Sequence, residues 1–266
     1  MFYHILNRKV AFANLLGKSV LVVVSSVGVQ VWSGSGNKII FHFPLSSLPY
    51  FAESVEEKFM RGIASTPNFL CVGTSIGTVH AFQVEHLGGD ALELMLAFSL
   101  EPDHHPVTSI SSYENIIAAA NDSGAIFGYS ASEAFLQIFS FSGYGFPCTS
   151  LVQRENVLFA AYSSGHIRVF RTDIQELAIE VTAHTRTITG LSLHPQLNIL
   201  VSCSQDQYIH VWEVPDFLSP SSRDISIIYS DLVENRICTG VTFLSGDSIC
   251  VATYDDDDLV VYSKDK

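Results

Sequence analysis

Six times along this chain an apolar strand, a tight polar turn and a second strand ending in an aromatic residue follow one another. The segments are SVLVVVSSVGVQVW (residues 19–32), FLCVGTSIGTVHAF (69–82), NIIAAANDSGAIFGY (115–129), NVLFAAYSSGHIRVF (156–170), NILVSCSQDQYIHVW (198–212) and SICVATYDDDDLVVY (248–262). The closing aromatics are Trp32, Phe82, Tyr129, Phe170, Trp212 and Tyr262, spaced by 50, 47, 41, 42 and 50 residues. A recurrence of this length means one supersecondary unit used repeatedly, because a single unit cannot bury its own apolar face. An apolar run, a Gly/Ser/Asp turn and an alternating strand such as His-Ile-Arg-Val-Phe read as a hairpin. The apolar strand is expected to be buried on both faces and the alternating strand to be half exposed.

Two further strands complete each unit. First strands are visible at residues 61–66, 107–113, 148–154, 188–194 and 238–244, and fourth strands at 92–100, 135–142, 177–184 and 225–230. Four strands repeated six times is the architecture of an all-β propeller with six recognisable blades. The expected units are 9–45, 59–101, 105–143, 146–184, 187–231 and 236–266, all in one domain. No 3.6-residue apolar stripe is present, and only residues 48–60 leave room for a helical turn. The sixth unit ends on a third strand at 259–264. Residues 2–6, within a closing segment 1–7, are expected to supply its fourth strand. A seven-bladed ring lacking its N-terminal blade is the alternative.

The fifth unit combines Thr182-Ala183-His184 with Val-Ser-Cys-Ser-Gln-Asp-Gln-Tyr-Ile-His-Val-Trp-Glu at 201–213, and in this it resembles the WD-repeat family. The resemblance implies a buried structural tetrad of His184, Ser202, Asp206 and Trp212. The chemistry is self-consistent: a buried indole N–H needs an acceptor, the Ser hydroxyl can pass its proton to an imidazole, and the other imidazole nitrogen can donate to the carboxylate. In isolation Ser, His and Asp would suggest a hydrolase. A Ser capped by an indole, with no nucleophile elbow, favours the structural role. The other units carry Val72, Ala119, Ala160 and Ala252 at the Ser position and Ile76, Ser123, Ser164 and Asp256 at the Asp position, so apolar packing is expected to hold them. Arg61-Gly62-Ile63-Ala64-Ser65, Gly143-Tyr144-Gly145-Phe146-Pro147-Cys148 and Ala183-His184-Thr185-Arg186 narrow the resemblance to one branch of the family. That branch implies a non-enzymatic, largely intracellular propeller tied to self-association, vesicles and growth-factor receptor signalling.

Composition removes several function classes. Lys plus Arg number 14 against 27 Asp plus Glu, a formal net charge of −13. This excludes a general nucleic-acid binder and a basic membrane-docking protein. Hydrophobic residues make up 47%, too many for a disordered chain. The cysteines, Cys71, Cys148, Cys203, Cys238 and Cys250, are odd in number and contain no CxxC. They read as buried hydrophobes rather than disulfide or zinc ligands. No apolar run reaches the length of a membrane span. Residues 10–29 could be mistaken for a signal segment, but Lys18 interrupts them and they read better as two strands.

The remaining candidates are minor. Asp255, Asp256, Asp257 and Asp258 form a carboxylate run that could attract a hard cation, but a solvated hairpin turn is the simpler reading. His104 and His105 lie near the position of the family's loop His, where the strict counterpart is Asp103. No dinucleotide, P-loop or HExxH motif is present, so no catalytic residue, cofactor or metal is expected. Residues 92–100, LELMLAFSL, could pass for an export signal but are expected to be a buried fourth strand. The expected function is a scaffold that binds other proteins, with homo-oligomers allowed, in the cytoplasm or on vesicles. A propeller hydrolase and a secreted or membrane-anchored propeller are the alternatives.

Overall fold

The aliphatic runs between turn residues dictate a chain built almost wholly of short antiparallel strands. A computed structural model describes residues 7–48, 60–86, 92–101, 103–215, 224–244, 247–254 and 256–263. The chain divides into two compact units, residues 1–143 and 144–266.

The first unit holds three four-stranded sheets. They are β1 (Asn7–Leu15), β2 (Lys18–Ser25), β3 (Gly28–Ser33) and β4 (Ile39–Pro44); β5 (Met60–Ser65), β6 (Phe69–Thr74), β7 (Val79–His86) and β8 (Leu92–Leu100); and β9 (Val107–Tyr113), β10 (Ile116–Asn121), β11 (Ile126–Ser130) and β12 (Leu136–Phe141). The second unit holds β13 (Cys148–Arg154), β14 (Val157–Tyr162), β15 (His166–Arg171) and β16 (Glu176–Thr182); β17 (Ile188–Leu193), β18 (Ile199–Ser204), β19 (Tyr208–Glu213) and β20 (Ser226–Leu232); and a sheet of three described strands, β21 (Cys238–Phe243), β22 (Ile249–Thr253) and β23 (Val260–Tyr262). Within each sheet the strands follow chain order, so every connection is a hairpin.

Second strands bury both faces, as their unbroken aliphatic runs require: after one half-buried residue, β6, β10, β14 and β18 are buried to the end. Each closing aromatic pairs with an aliphatic residue on the second strand: Trp32 with Leu21, Phe82 with Leu70, Tyr129 with Ile117, Phe170 with Leu158, Trp212 with Leu200 and Tyr262 with Ile249. Phe82, Tyr129, Phe170 and Trp212 are buried, while Trp32 and Tyr262 are half-buried. Between sheets, side chains interlock. Phe43 meets Phe82 edge-on at 5.0 Å in the first unit, and Ile167, Val169, Ile188, Leu200 and Trp212 share one core in the second.

Two bulges recur. In every four-stranded sheet the pairing of third with fourth strand slips by one residue just before the closing aromatic. The pairing of first with second strand slips near the start of the first strand in all six sheets. Four of these slips leave out a threonine, and each hydroxyl donates to a carbonyl of the second strand: Thr108 to Ala120, Thr149 to Ala161, Thr189 to Cys203 and Thr239 to Ala252. The side chain thus occupies an acceptor near the point where the ladder slips. In β5 the skipped residue is Gly62, whose φ of +71° suits glycine.

Several expectations need correction. The strand at 92–100 is only partly buried: Leu92 and Leu94 face inward, while Glu93, Met95 and Leu96 are exposed, because β8 is the outer strand of its sheet. A 3-10 turn lies at Leu45–Ser47, just before the stretch expected to leave room for a helical turn. Met60 already belongs to β5, and residues 49–59 lie outside the described residues, as does the closing strand placed at 2–6. In the sixth sheet Val251, not Ala252, pairs with Val260 two residues before Tyr262, so Val251 is the counterpart of Ser202. The hairpin is one residue out of step with the repeat pattern in the sequence. The five cysteines are buried and outside any disulfide. No helix among the described residues is long and apolar enough to cross a membrane.

Candidate functional site

A buried polar cluster in the second unit lies where β18 and β19 meet the loop at residues 183–187. Ser202 sits mid-strand on β18, opposite His210 and two residues from the Leu200–Trp212 pair. Trp212 Nε1–H donates to Ser202 Oγ at 2.9 Å. Ser202 Oγ lies 2.8 Å from His184 Nε2. With one Ser lone pair filled by the indole, the hydroxyl proton goes to Nε2, which leaves His184 neutral with its proton on Nδ1. That N–H faces the Asp206 carboxylate at 3.1 and 3.2 Å. Ser202 is fully buried, Trp212 is 2% exposed and His184 4%. The structure therefore places all four sequence-predicted residues in one continuous chain of hydrogen bonds.

Asp206 does more than end that chain. It accepts the Thr185 N–H at 2.9 Å and the Tyr208 N–H at 3.0 Å, fixing the loop and its own turn together. Its partial burial would raise its pKa, but those two N–H groups and His184 outweigh this and hold the carboxyl below its ordinary range. Burial pushes His184 down to about 4, against the opposing pull of Asp206. His210 stacks on His184 with ring centres 4.4 Å apart. On the other side, the His184 and Ala183 N–H groups both donate to Gly165 O at 3.0 Å, in the turn between β14 and β15. Gly165 has φ +83°, and a Cβ there would overlap the His184 carbonyl. The loop is clasped between two turns.

Other units use different clasps, which corrects the expectation of purely apolar packing. In the third sheet Asn121 Nδ2 donates to Asp103 at 2.6 Å, and His105 Nδ1 meets Asp122 at 2.9 Å. His104 makes neither contact and is exposed, with φ +65°. In the sixth, Arg236 pairs with Asp256 at 3.0 Å. Asp256 also accepts the Asp258 N–H, so this carboxylate of the run is engaged. Asp255 is outside the described residues. The sequence signal for the bulge threonines, Val-Thr-Ser-Ile, Cys-Thr-Ser-Leu, Ile-Thr-Gly-Leu and Cys-Thr-Gly-Val at one place in four units, was open to reading.

A cleft of about 560 Å³ in the second unit is lined mainly by apolar side chains, among them Ile199, Val211, Phe243 and Val261, with His194 and Asp247 also on its wall. Ser202, His184 and Asp206 are not among its lining residues.

The model of the WDR54 family matches residues 4–264. The chain belongs to the WDR54 family. WD repeat-containing protein 54 of Mus musculus is 27% identical over 244 residues, which are 88% of this chain and 72% of the relative. The Homo sapiens protein of the same name is 26% identical over the same shares. Pre-mRNA-processing factor 19 of Mus musculus matches a shorter stretch, 36% of the chain at 26% identity and 24% of that relative. Among solved structures, a chain of the mitotic checkpoint complex superposes with a TM-score of 0.77 at 17% identity, covering 97% of this chain and 74% of that one. The β-propeller domain of Cps50 (Swd1) from Myceliophteria thermophila gives 0.73 at 13% identity, covering 97% and 83%. The fold is the all-β WD-repeat propeller.

Proposed function

We propose that this WDR54-family chain is a non-enzymatic scaffold for protein–protein interaction, and that His184, Ser202, Asp206 and Trp212 are a structural tetrad. The observation that carries this reading is the state of Ser202. Its hydroxyl is fully buried and bonded on both sides, to an indole donor and an imidazole acceptor. A nucleophilic Ser needs access to substrate and a nearby oxyanion site. Every polar atom of the tetrad is instead spent on tying a loop to a sheet. The rigid frame would leave turns and outer strands to meet partners. In this reading all 266 residues serve one propeller domain.

The test is a broad fluorophosphonate probe applied to folded protein. No labelling of Ser202 is expected, and labelling that vanishes in Ser202→Ala would replace the scaffold reading by the hydrolase one. From the family resemblance we place the scaffold in the cytoplasm and on vesicles, in growth-factor receptor signalling. Fractionation of cells expressing the tagged chain checks this: recovery confined to nuclei or to the medium would contradict it.

A further inference from the structure

Residues 62–153 contain no Lys or Arg, yet hold eight carboxylates: Glu85, Asp90, Glu93, Glu101, Asp103, Glu114, Asp122 and Glu133. Within this stretch lies β8, the outer strand of the second sheet, nine residues long. Its far edge has no strand partner among the described residues. Proteins usually guard such an edge with Lys, Pro or compensated charges. The outer strand β4 ends in Pro44. On the outer strand β16, Glu180 stands opposite Arg168 with an ion pair of 2.9 Å, and Glu176 stands opposite Arg171. On β8 the arrangement is reversed: Glu93 stands directly opposite Glu85. Like charges facing across a strand pair repel. Glu85 accepts a hydrogen bond from a neutral partner, Gln83 Nε2, at 3.2 Å. Beside the two carboxylates, Met95 is 47% and Leu96 36% exposed.

We propose that β8 is a docking edge for an extended segment of a partner protein that alternates basic and apolar residues. Glu93 and Met95 lie on one face of the strand and Leu94 and Leu96 on the other. An added antiparallel strand with lysines on the first face would set an ammonium beside Glu93, relieving its repulsion from Glu85, and lay its methylene stems over Met95. Apolar residues on the alternate positions would cover Leu96. The proposal rests on the scaffold reading only in requiring a partner.

The test uses the full chain and a fluorescein-labelled octapeptide of alternating lysine and valine, followed by fluorescence anisotropy. Saturable binding that weakens with salt is expected. Glu93→Lys should weaken it about tenfold or more, while raising the thermal midpoint because the Glu85 repulsion is removed. That rise keeps misfolding from imitating the result. Glu234→Lys makes the same charge change at an exposed site of the second unit and should leave the affinity within about twofold. A peptide N-methylated at every backbone nitrogen, unable to pair along either edge, should not bind. The proposal is overturned by no binding, by equal weakening in the two variants, by equal binding of a glutamate–valine peptide, or by equal binding of the N-methylated peptide. Any of these removes the edge on β8 and leaves the scaffold reading to the Ser202 labelling test.

Discussion

Two neighbouring sheets of the second unit, β13–β16 and β17–β20, follow the same strand plan and the same two bulges but are held differently inside. In the later sheet the closing aromatic is Trp212, and its indole proton starts a relay through Ser202 and His184 to Asp206. In the earlier one Phe170 closes the hairpin and Ala160 stands opposite Arg168, where the later sheet has Ser202 opposite His210. Phe170 offers no donor and Ala160 asks for none. Arg168 instead lies over the Tyr144 ring at 4.2 Å and pairs with Glu180. A hydroxyl buried beside the closing aromatic needs a partner on each side, and in the later sheet Trp212 and His184 supply them. What the polar version adds is the fixed loop at 183–187.

The largest effect is expected at Gly165, in the β14–β15 turn of the earlier sheet, which holds the loop of the later one. Gly165→Ala must adopt a positive φ and displace the His184 carbonyl, at a cost of about 2–4 kcal/mol. Urea melts check this, and Gly145→Ala, also at positive φ but with open space around it, should cost about 1–2 kcal/mol.

Acid comes next. His184 is neutral in the fold with its pKa near 4, against 6.5 when free. Its contribution is complete above pH 6.5 and is lost as the pH falls from 6.5 toward 4, when the unfolded chain takes up the proton first. The loss amounts to about 3 kcal/mol at most. His80 of the first unit is also pushed down to about 4 by burial and titrates in the same direction. The difference between the native chain and His184→Gln isolates the His184 share: the native curve should fall more steeply between pH 6.5 and 4. Asp206, held below 3.8, supports stability above that value and loses its contribution only as the pH falls through its folded pKa.

The smallest effect tests the comparison in reverse. Ala160→Ser puts a hydroxyl at a fully buried position whose neighbouring aromatic has no donor. It should destabilise by about 1–2 kcal/mol, and a neutral or stabilising result in urea melts would mean that a complete set is not required.

The strand plan was legible because it rests on burial alone: aliphatic runs such as Ile-Leu-Val at 199–201 can only be strands inside a sheet stack, and β9 and β13 fall at the residues expected. The four tetrad residues could be assembled from the sequence because the fifth unit resembles the WD-repeat family, and the need of a buried indole for an acceptor fits that assignment. Other features were not legible, for physical reasons. The sixth hairpin slips by one residue, so Val251 replaces Ala252, because strand register is set by pairing and not by counting from the aromatic. The Arg236–Asp256 and Asp103–Asn121 clasps join the loop before a first strand to the end of the second strand or the turn after it, and nothing in their local sequence announces the partner. The half-exposure of β8 follows from its place at the sheet edge, which hydropathy cannot report.

The central claim, that the tetrad is one coupled unit, is tested most directly by a double-mutant cycle of Ser202→Ala and Trp212→Phe in denaturant melts. Each single change breaks the same hydrogen bond and leaves buried groups without partners, at about 1–3 kcal/mol. The double mutant should cost clearly less than the sum of the singles, with a coupling of at least about 0.5 kcal/mol. Costs that add within about 0.3 kcal/mol would show that the two residues act independently, and the tetrad would not be what holds this sheet to its loop.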